Sequence, residues 1–219
     1  MLSADEEARI NAAIAEAEGA TAGEISCIVA QRSSTYVETP IGYAAFASLL
    51  IPLAVVAGGL EPWNWAGGWR VRAPGPEAAV FAYALLQAAV FLITLAITAW
   101  RPLRLRLAPS PLKRSRVHKL ALQQFLAKGL YQTTGRTGVL IMASLDERHA
   151  EIVADEGIHA KVAPDVWADA LAAMIVRLKR GETAEGFAEA VRICGDVLAE
   201  HFPRAADDVN ELPDTVIQI

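Results

Sequence analysis

Two long stretches without a charged residue constrain this chain more than any other feature of its sequence. Residues 39–60 and 78–100 contain no Asp, Glu, Lys or Arg, and as helices rising about 1.5 Å per residue each would be roughly 30 Å long, the thickness of a bilayer's hydrocarbon core. The connector, residues 61–77, holds Trp63, Trp65 and Trp69. Tryptophan is enriched at the membrane–water boundary. We therefore predict a transmembrane helical hairpin over residues 39–100.

Positive charge after the second span sets the expected orientation. Residues 101–119 carry seven basic side chains, against Arg70 and Arg72 in the connector. They are Arg101, Arg104, Arg106, Lys113, Arg114, Arg116 and Lys119. Lys and Arg near membrane ends stay on the cytoplasmic side, so both termini are predicted to be cytoplasmic. The same cluster is expected to meet anionic lipid headgroups. Because the positive charge is concentrated there, we do not expect nucleic-acid binding.

The N-terminus and the cysteines bear on the cellular compartment. The first residues have neither the basic region nor the apolar core of a cleavable signal peptide, so the hairpin is the first expected membrane signal. Cys27 and Cys194 lie far apart in the sequence. We interpret them as buried free thiols in a reducing compartment, with a disulfide or a metal site as the alternatives.

Outside the hairpin, the hydrophobic periodicity predicts an α/β domain. Ser3 and Glu6 form a capping box before a helix that ends near Gly19. Strands are predicted at 24–30, 139–143 and 149–154, with a further edge strand at 215–219. Helices are predicted from Ser115 to about 129, from Pro164 to 180 and from Thr183 to about 202. The order of these elements indicates a mixed sheet with a parallel first pair, an antiparallel second pair and helices on both faces.

The same pattern defines the domain organisation. Residues 1–38 have too little apolar surface to fold alone, so they are predicted to join residues 115–219 in one domain. Residues 39–100 are inserted into that domain as the hairpin. Residues 101–114 are broken by Pro102, Pro109 and Pro111, which predicts a basic linker at the membrane surface.

Several sequence blocks carry a family resemblance. The chain resembles the TPM domain in three successive stretches, which are the run 138–141, the turn 144–148 and the block 151–158. A weaker part of the resemblance lies in the predicted helices, at Trp167, Gly186, Phe187 and Gly195. Two further blocks also resemble the family, Gly23-Glu24-Ile25 near the N-terminus and residues 210–214 near the C-terminus. The resemblance covers residues 1–38 and about 115–219. It implies a three-layer α/β/α sandwich over a small mixed sheet, interrupted here by the transmembrane hairpin.

The resemblance also carries functional expectations. The plant thylakoid branch of this family is associated with photosystem maintenance and acid phosphatase activity, and some members bind divalent cations. Bacterial members are usually membrane-tethered and often of unknown role. Together with the predicted hairpin, this indicates a multi-pass protein of the bacterial inner membrane. The chain departs from the common layout, because the hairpin interrupts the domain and Asp155-Glu156-Gly157 stands where other members tend to have a Gly-Tyr-Gly type turn.

Acidic residues at strand ends are the predicted metal site. Glu24, Asp155 and Glu156 are the candidate ligands, because carboxylates converging beyond a sheet suit Ca²⁺ or Mg²⁺. Asp146 and Glu147 lie at the opposite turn, so Asp146 and Asp155 are not expected to share a cation. The alternative is that all of these are solvated turn residues. Residues 207–211 are a second candidate cation loop, with a polar connector as the alternative.

Other sequence signals for a catalytic or binding site are weak. His118, His149, His159 and His201 show no HExxH spacing, and the chain has no GxSxG, Walker, dinucleotide-binding, CxxC or Cys-x5-Arg motif. The spans carry small residues four apart, such as Ala44 with Ser48 and Ala84 with Ala88. Such pairs allow close helix packing, either within the hairpin or in a homo-oligomer.

Two functions follow as hypotheses. The first is a binding or adaptor module, held at the membrane, that acts with an unidentified membrane-protein partner in membrane-protein maintenance or assembly. The second is a divalent-metal-assisted phosphatase that uses the acidic residues near Glu24 and Asp155.

Overall fold

The computed structural model describes residues 1–59, 75–204 and 210–219. The three connector tryptophans and residues 207–209 of the second candidate cation loop therefore lie outside the described residues. The chain forms two compact units, one of Met1–Ser34 with Ser110–Ile219 and the other of Thr35–Pro109.

The described residues form eight α-helices and four strands. In chain order these are α1 (Ala4–Glu18), β1 (Glu24–Ala30), α2 (Glu38–Ala57), α3 (Pro76–Ala99), α4 (Arg101–Leu107), α5 (Ser110–Ala127), β2 (Gly138–Ser144), β3 (His149–Ala154), α6 (Glu156–His159), α7 (Trp167–Arg180), α8 (Thr183–His201) and β4 (Ile217–Gln218).

The predicted mixed sheet is present, with the strand order β3-β2-β1-β4. β1 and β2 are parallel, from Glu24 opposite Gly138 to Ala30 opposite Ser144. β2 and β3 are antiparallel, with Val139 opposite Ala154. β4 adds in parallel at the edge of β1, where an edge strand was predicted.

Helices cover both faces of the sheet. On one face, alternate residues of β1 and β2, among them Ile25, Cys27 and Ile141, join a core with α1, α7 and α8. On the other face, Leu140 and Met142 join a smaller core with α5. Every residue of β2 is buried, which agrees with the continuous apolar run that predicted this strand.

The first helix begins as its sequence predicts. The Ser3 hydroxyl accepts a hydrogen bond from the Glu6 backbone N–H, and the Glu6 carboxylate accepts one from the Ser3 N–H in return. This capping box satisfies two backbone donors that a helix start would otherwise leave unpaired.

The segment 101–114, predicted as a basic linker broken by prolines, is largely helical. α4 begins at Arg101 and α5 begins at Ser110, so Ser115 lies inside α5 and does not cap it. Pro102 and Pro111 each fall in the first turn of their helix. A first-turn proline costs a helix little, because the backbone N–H that it lacks would have no partner within the helix.

The second unit contains α2 and α3 packed as a helical hairpin. Their 20 and 24 residues correspond to about 30 and 36 Å. Both are long enough and apolar enough to span a membrane, and the most apolar stretch of α3 has no buried residue. On α2, Pro40, Ala44, Ser48 and Pro52 are buried at intervals of four, so one stripe of small side chains packs inside this unit.

Candidate functional site

Glu24 is the first residue of β1, and its side chain faces the C-terminal part of the chain. The residue is only 6 % exposed. Its carboxylate accepts hydrogen bonds from the backbone N–H groups of Glu211 at 2.9 Å and Leu212 at 3.2 Å. The predicted metal ligand Glu24 therefore anchors the segment that leads to β4.

Asp155 follows the last residue of β3 and is 5 % exposed. Its Oδ1 atom accepts a hydrogen bond of 2.6 Å from the Glu156 N–H, which makes Asp155 the N-cap of α6. Its Oδ2 atom lies 3.2 Å from Nε of Arg136. Both carboxylate oxygens thus contact positive or partly positive groups of the chain itself.

Glu156 is the most exposed of the predicted ligands. Its side chain is 87 % exposed, and its carboxylate lies 3.3 Å from Nη2 of Arg136. A surface ion pair of this kind contributes little to stability, because water screens it. Arg136 accordingly contacts two of the three candidate ligands.

The three candidate ligands lie along the same edge of the sheet but do not converge. β2 separates β1 from β3, so Glu24 and Asp155 start from strands two spacings, or about 10 Å, apart. This edge is at the amino ends of the parallel strands, whereas ligands usually sit at their carboxyl ends. Among the described residues, no group of three or more His, Cys, Asp or Glu is arranged to hold a metal. A Ca²⁺ or Mg²⁺ ion at Glu24, Asp155 and Glu156 remains a prediction.

The carboxyl end of the parallel strands holds a different set of contacts. Ser33 donates to Glu147 through its N–H at 3.0 Å and through its hydroxyl at 2.7 Å. Ser144 also donates to the Glu147 carboxylate, and Gln31 Nε2 donates to Asp146 Oδ1 at 2.7 Å. The turn after β2 therefore binds the segment that leaves β1.

Sequence reasoning missed Glu18, a buried acid at the end of α1. Its carboxylate accepts a 2.7 Å hydrogen bond from the Ile25 N–H and a weaker one, of 3.4 Å, from Asn210 Nδ2. Burial raises the pKa of Glu18 to about 8, and a hydrogen bond with the Asp214 side chain acts in the same direction. The sequence does indicate that Glu18 is buried, because this residue continues the four-residue spacing of the buried Ile10 and Ile14.

Sequence reasoning also missed Arg136, which lies in the turn before β2. Its φ of 52° is in the left-handed region, a conformation that non-glycine residues rarely adopt. A Cβ atom added at Gly157 would lie 2.5 Å from the Arg136 carbonyl oxygen. Gly135 and Gly138 flank Arg136 and are typical of a turn, but the sequence does not indicate that the arginine between them reaches Asp155.

An open groove of about 520 Å³ runs along α1 and α8. Small residues line it, including Ala13, Ala17 and Gly195, together with charged residues such as Glu16 and Arg192. Arg192 forms ion pairs within α8 to Glu189 at 3.0 Å and Asp196 at 2.8 Å. The groove is therefore a concave surface on which acidic side chains, four in number, outnumber the two basic ones.

Comparison with known proteins relates this chain to the TPM domain and to one solved structure. The sequence profile of the TPM domain matches residues 110–197, which include the predicted strand–turn–strand block. The fold resembles the solution NMR structure of the BA42 protein from the psychrophilic bacterium Bizionia argentinensis. That likeness has a TM-score of 0.58 and 20 % sequence identity, and it covers 100 % of this chain and 96 % of the other. No curated protein matches the chain.

Proposed function

We propose that this TPM-domain protein is a membrane-anchored binding or adaptor module that serves membrane-protein maintenance or assembly. The hairpin of α2 and α3 crosses the inner membrane, and both termini lie in the cytoplasm. The basic residues between 101 and 119 meet anionic lipid headgroups. The TPM-domain unit, which consists of Met1–Ser34 and Ser110–Ile219, then presents its surface to a membrane-protein partner.

The observation that carries the proposal is the exposure of apolar side chains along the hairpin. Phe46, Val80, Phe81, Leu92 and Ile93 all lie on its surface and are more than half exposed. Exposing apolar area to water costs about 25 cal/mol per Å², and large exposed apolar surfaces mark places that contact a membrane or another protein. Hydrocarbon tails would cover the patch on every side of the hairpin.

The charge distribution supports the orientation. In the chain, α3 is followed directly by α4 and then by α5, and α4 and the first half of α5 are rich in arginine and lysine. Each basic residue near an anionic membrane surface contributes about 1 kcal/mol of attraction. In this arrangement the acidic α1 lies in the cytoplasm with the rest of the TPM-domain unit.

Membrane insertion is tested by one substitution in each unit. Ile93 on α3 and Leu126 on α5 are 60 % and 59 % exposed, so they are matched in exposure and differ in location. An arginine costs about 2.5–3.5 kcal/mol at the centre of a span and less towards its ends, and Ile93 lies in the C-terminal half of α3. Ile93→Arg should reduce the fraction of chain that resists alkaline carbonate extraction, whereas Leu126→Arg should not. Equal extraction of both variants and the wild type would oppose a transmembrane hairpin.

The adaptor function is tested against the phosphatase alternative with Asp155→Asn. In native membranes, chemical cross-linking should give the same partner band for wild type and Asp155→Asn, because the adaptor needs no carboxylate chemistry. Hydrolysis of p-nitrophenyl phosphate with Mg²⁺, Ca²⁺ or Mn²⁺ that disappears in Asp155→Asn would instead support the metal-assisted phosphatase.

A further inference from the structure

Gln87 carries the only carboxamide side chain in α2 and α3. It is the twelfth of the 24 residues of α3, so in a hairpin that crosses a bilayer its side chain lies near the midplane of the hydrocarbon core. The lipid headgroups are then about 15 Å away, half the thickness of that core, and a glutamine side chain is too short to reach them. The amide therefore has to find its hydrogen bonds inside the membrane.

The hairpin itself does not supply those hydrogen bonds. The Ser48 hydroxyl donates to the Ala45 carbonyl at 2.9 Å, and the Thr98 hydroxyl donates to the Thr94 carbonyl at 2.7 Å. Among the described residues, by contrast, the Gln87 amide forms no hydrogen bond. An amide without partners is costly in hydrocarbon, because no water replaces the hydrogen bonds that it loses.

Gln87 opens onto a surface hollow of about 440 Å³. The hollow is lined by Ser48 of α2 and by Ala84, Gln87, Ala88, Phe91 and Leu92 of α3. Ala84, Gln87, Ala88 and Phe91 follow one another at intervals of three, one and three residues, which places them on one face of α3. The alanines on either side of Gln87 allow another helix to come close enough for the amide to reach it.

The hydrogen-bonding groups of Gln87 identify a second copy of this chain as the occupant. A carboxamide has both an N–H donor and a carbonyl acceptor, so two of them can satisfy each other reciprocally. Two copies inserted in the same orientation hold Gln87 at the same depth, and a two-fold axis along the membrane normal brings the same face of each α3 together. A lipid tail would fill the hollow without offering a hydrogen bond.

We propose that this chain self-associates in the membrane through the α3 face of Ala84, Gln87, Ala88 and Phe91, with reciprocal hydrogen bonds between the two Gln87 carboxamides. This interface rests on the proposed insertion of the hairpin and adds a partner to the proposed function. A dimer of this kind holds two TPM-domain units in one assembly. Two units on a common anchor bind a partner with two sites more tightly than one unit does.

Cysteine cross-linking of the full chain in native membranes tests the geometry. Ala88→Cys and Ala89→Cys change two adjacent, exposed alanines, but Ala88 flanks Gln87 on the proposed face and Ala89 lies about 200° around the helix from Gln87. Oxidation with copper phenanthroline should give a disulfide-linked dimer in Ala88→Cys and little in Ala89→Cys. Cys27 and Cys194 are buried, so the wild type should show only background.

Two results of the cross-linking would overturn the proposal. Equal cross-linking of Ala88→Cys and Ala89→Cys would mean that the face of Gln87 is not an interface. A product of Ala88→Cys whose mass differs from twice that of the chain would mean that another membrane protein occupies this face, in place of a second copy.

Sedimentation equilibrium in density-matched detergent micelles tests the role of the amide. Gln87→Leu keeps a side chain of similar size and removes both reciprocal hydrogen bonds, so the association constant should fall about tenfold. Gln87→Asn retains a donor and an acceptor and should lose less. Leu85→Ala changes a residue that is 56 % exposed and lies about 200° around α3 from Gln87, and it should associate like the wild type. Unchanged association in Gln87→Leu would overturn the proposal.

Failure of the interface and failure of the membrane anchor give different results. Gln87→Leu makes the span more apolar, so it should resist alkaline carbonate extraction as the wild type does. A wild type that resists extraction, together with an Ala88→Cys variant that forms no dimer, would overturn the self-association and leave the anchor standing. Extraction of the wild type by carbonate would overturn both.

Discussion

Arg136 and Asp155 are joined by an ion pair across the amino-terminal edge of the sheet, with 3.2 Å between Arg136 Nε and Asp155 Oδ2. The arginine lies before β2 and the aspartate after β3, so the pair connects the two ends of the β2–β3 hairpin. Asp155 is buried while half of the Arg136 side chain is exposed. In this arrangement Asp155 stabilises the fold locally, whatever else it binds.

The first prediction concerns the stability that Asp155 provides. Asp155→Ala removes the N-cap of α6 and leaves Arg136 without this partner. Loss of an N-cap costs about 1 kcal/mol, so the free energy of unfolding should fall by about that amount or more. Urea denaturation followed by circular dichroism, in detergent micelles, measures the change.

Glu156→Gln is the matched control for that prediction. Glu156 is the adjacent acid and also contacts Arg136, but its side chain is 87 % exposed. Its substitution should change the free energy of unfolding by less than about 0.5 kcal/mol. An equal loss in both variants would mean that the cap and the buried ion pair are not what distinguishes Asp155.

A second prediction concerns the close approach of Gly138 to the chain before it. A Cβ atom at Gly138 would lie 2.3 Å from the Leu130 carbonyl oxygen, and a backbone atom cannot move aside as a side chain can. Gly138→Ala should therefore lower the free energy of unfolding by about 2–3 kcal/mol.

Gly135→Ala provides the comparison for Gly138→Ala. A Cβ atom at Gly135 would first meet the Thr137 hydroxyl at 3.1 Å and its methyl group at 3.2 Å, so the Thr137 side chain would have to move by only a few tenths of an ångström. The loss of unfolding free energy in Gly135→Ala, measured by the same urea denaturation, should be clearly smaller than in Gly138→Ala. If both substitutions are tolerated equally, the Leu130 contact does not restrict position 138.

Strands and helices were predictable here because their signals are local. The apolar run of β2 and the alternation of Ala150, Ile152 and Ala154 in β3 require only neighbouring residues to interpret. The helix spacing of Ile10 and Ile14 and the capping box at Ser3 are equally local. These signals gave the mixed sheet and α1 with nearly the observed boundaries.

The environment of the acidic residues could not be predicted in the same way. Glu24 binds the backbone of Glu211, which is 187 residues away in the sequence, and no short motif records that contact. Asp155 and Arg136 meet only because the β2–β3 hairpin brings its two ends together. Prolines likewise suggested an irregular linker at 101–114, because sequence alone does not distinguish a first-turn proline from a helix-breaking one.

A third prediction concerns thiol reactivity. Burial raises the pKa of Cys27 well above its ordinary value and raises the pKa of Cys194 to about 12. Only the thiolate reacts with iodoacetamide, so at pH 8 both cysteines of the native protein should remain almost unmodified. In guanidinium chloride at the same pH both should react fully, as mass spectrometry of the peptides can show. Rapid modification of either cysteine in the native protein would contradict the buried positions of both thiols.

The last prediction is the orientation of the hairpin, which rests on the excess of basic residues after α3. Green fluorescent protein fused after Ile219 should fluoresce, and alkaline phosphatase at the same position should be inactive, because the C-terminus is predicted to stay in the cytoplasm. The same reporters inserted after Gly59, just beyond α2, in a chain that keeps residues 101–119 should give the reverse pattern, since this point follows a single crossing. The two sites control for each other, because a poorly inserted protein would give the cytoplasmic pattern at both. Phosphatase activity at Ile219 with fluorescence at Gly59 would mean that residues 101–119 do not set the orientation, and it would place the TPM-domain unit on the outer side of the membrane.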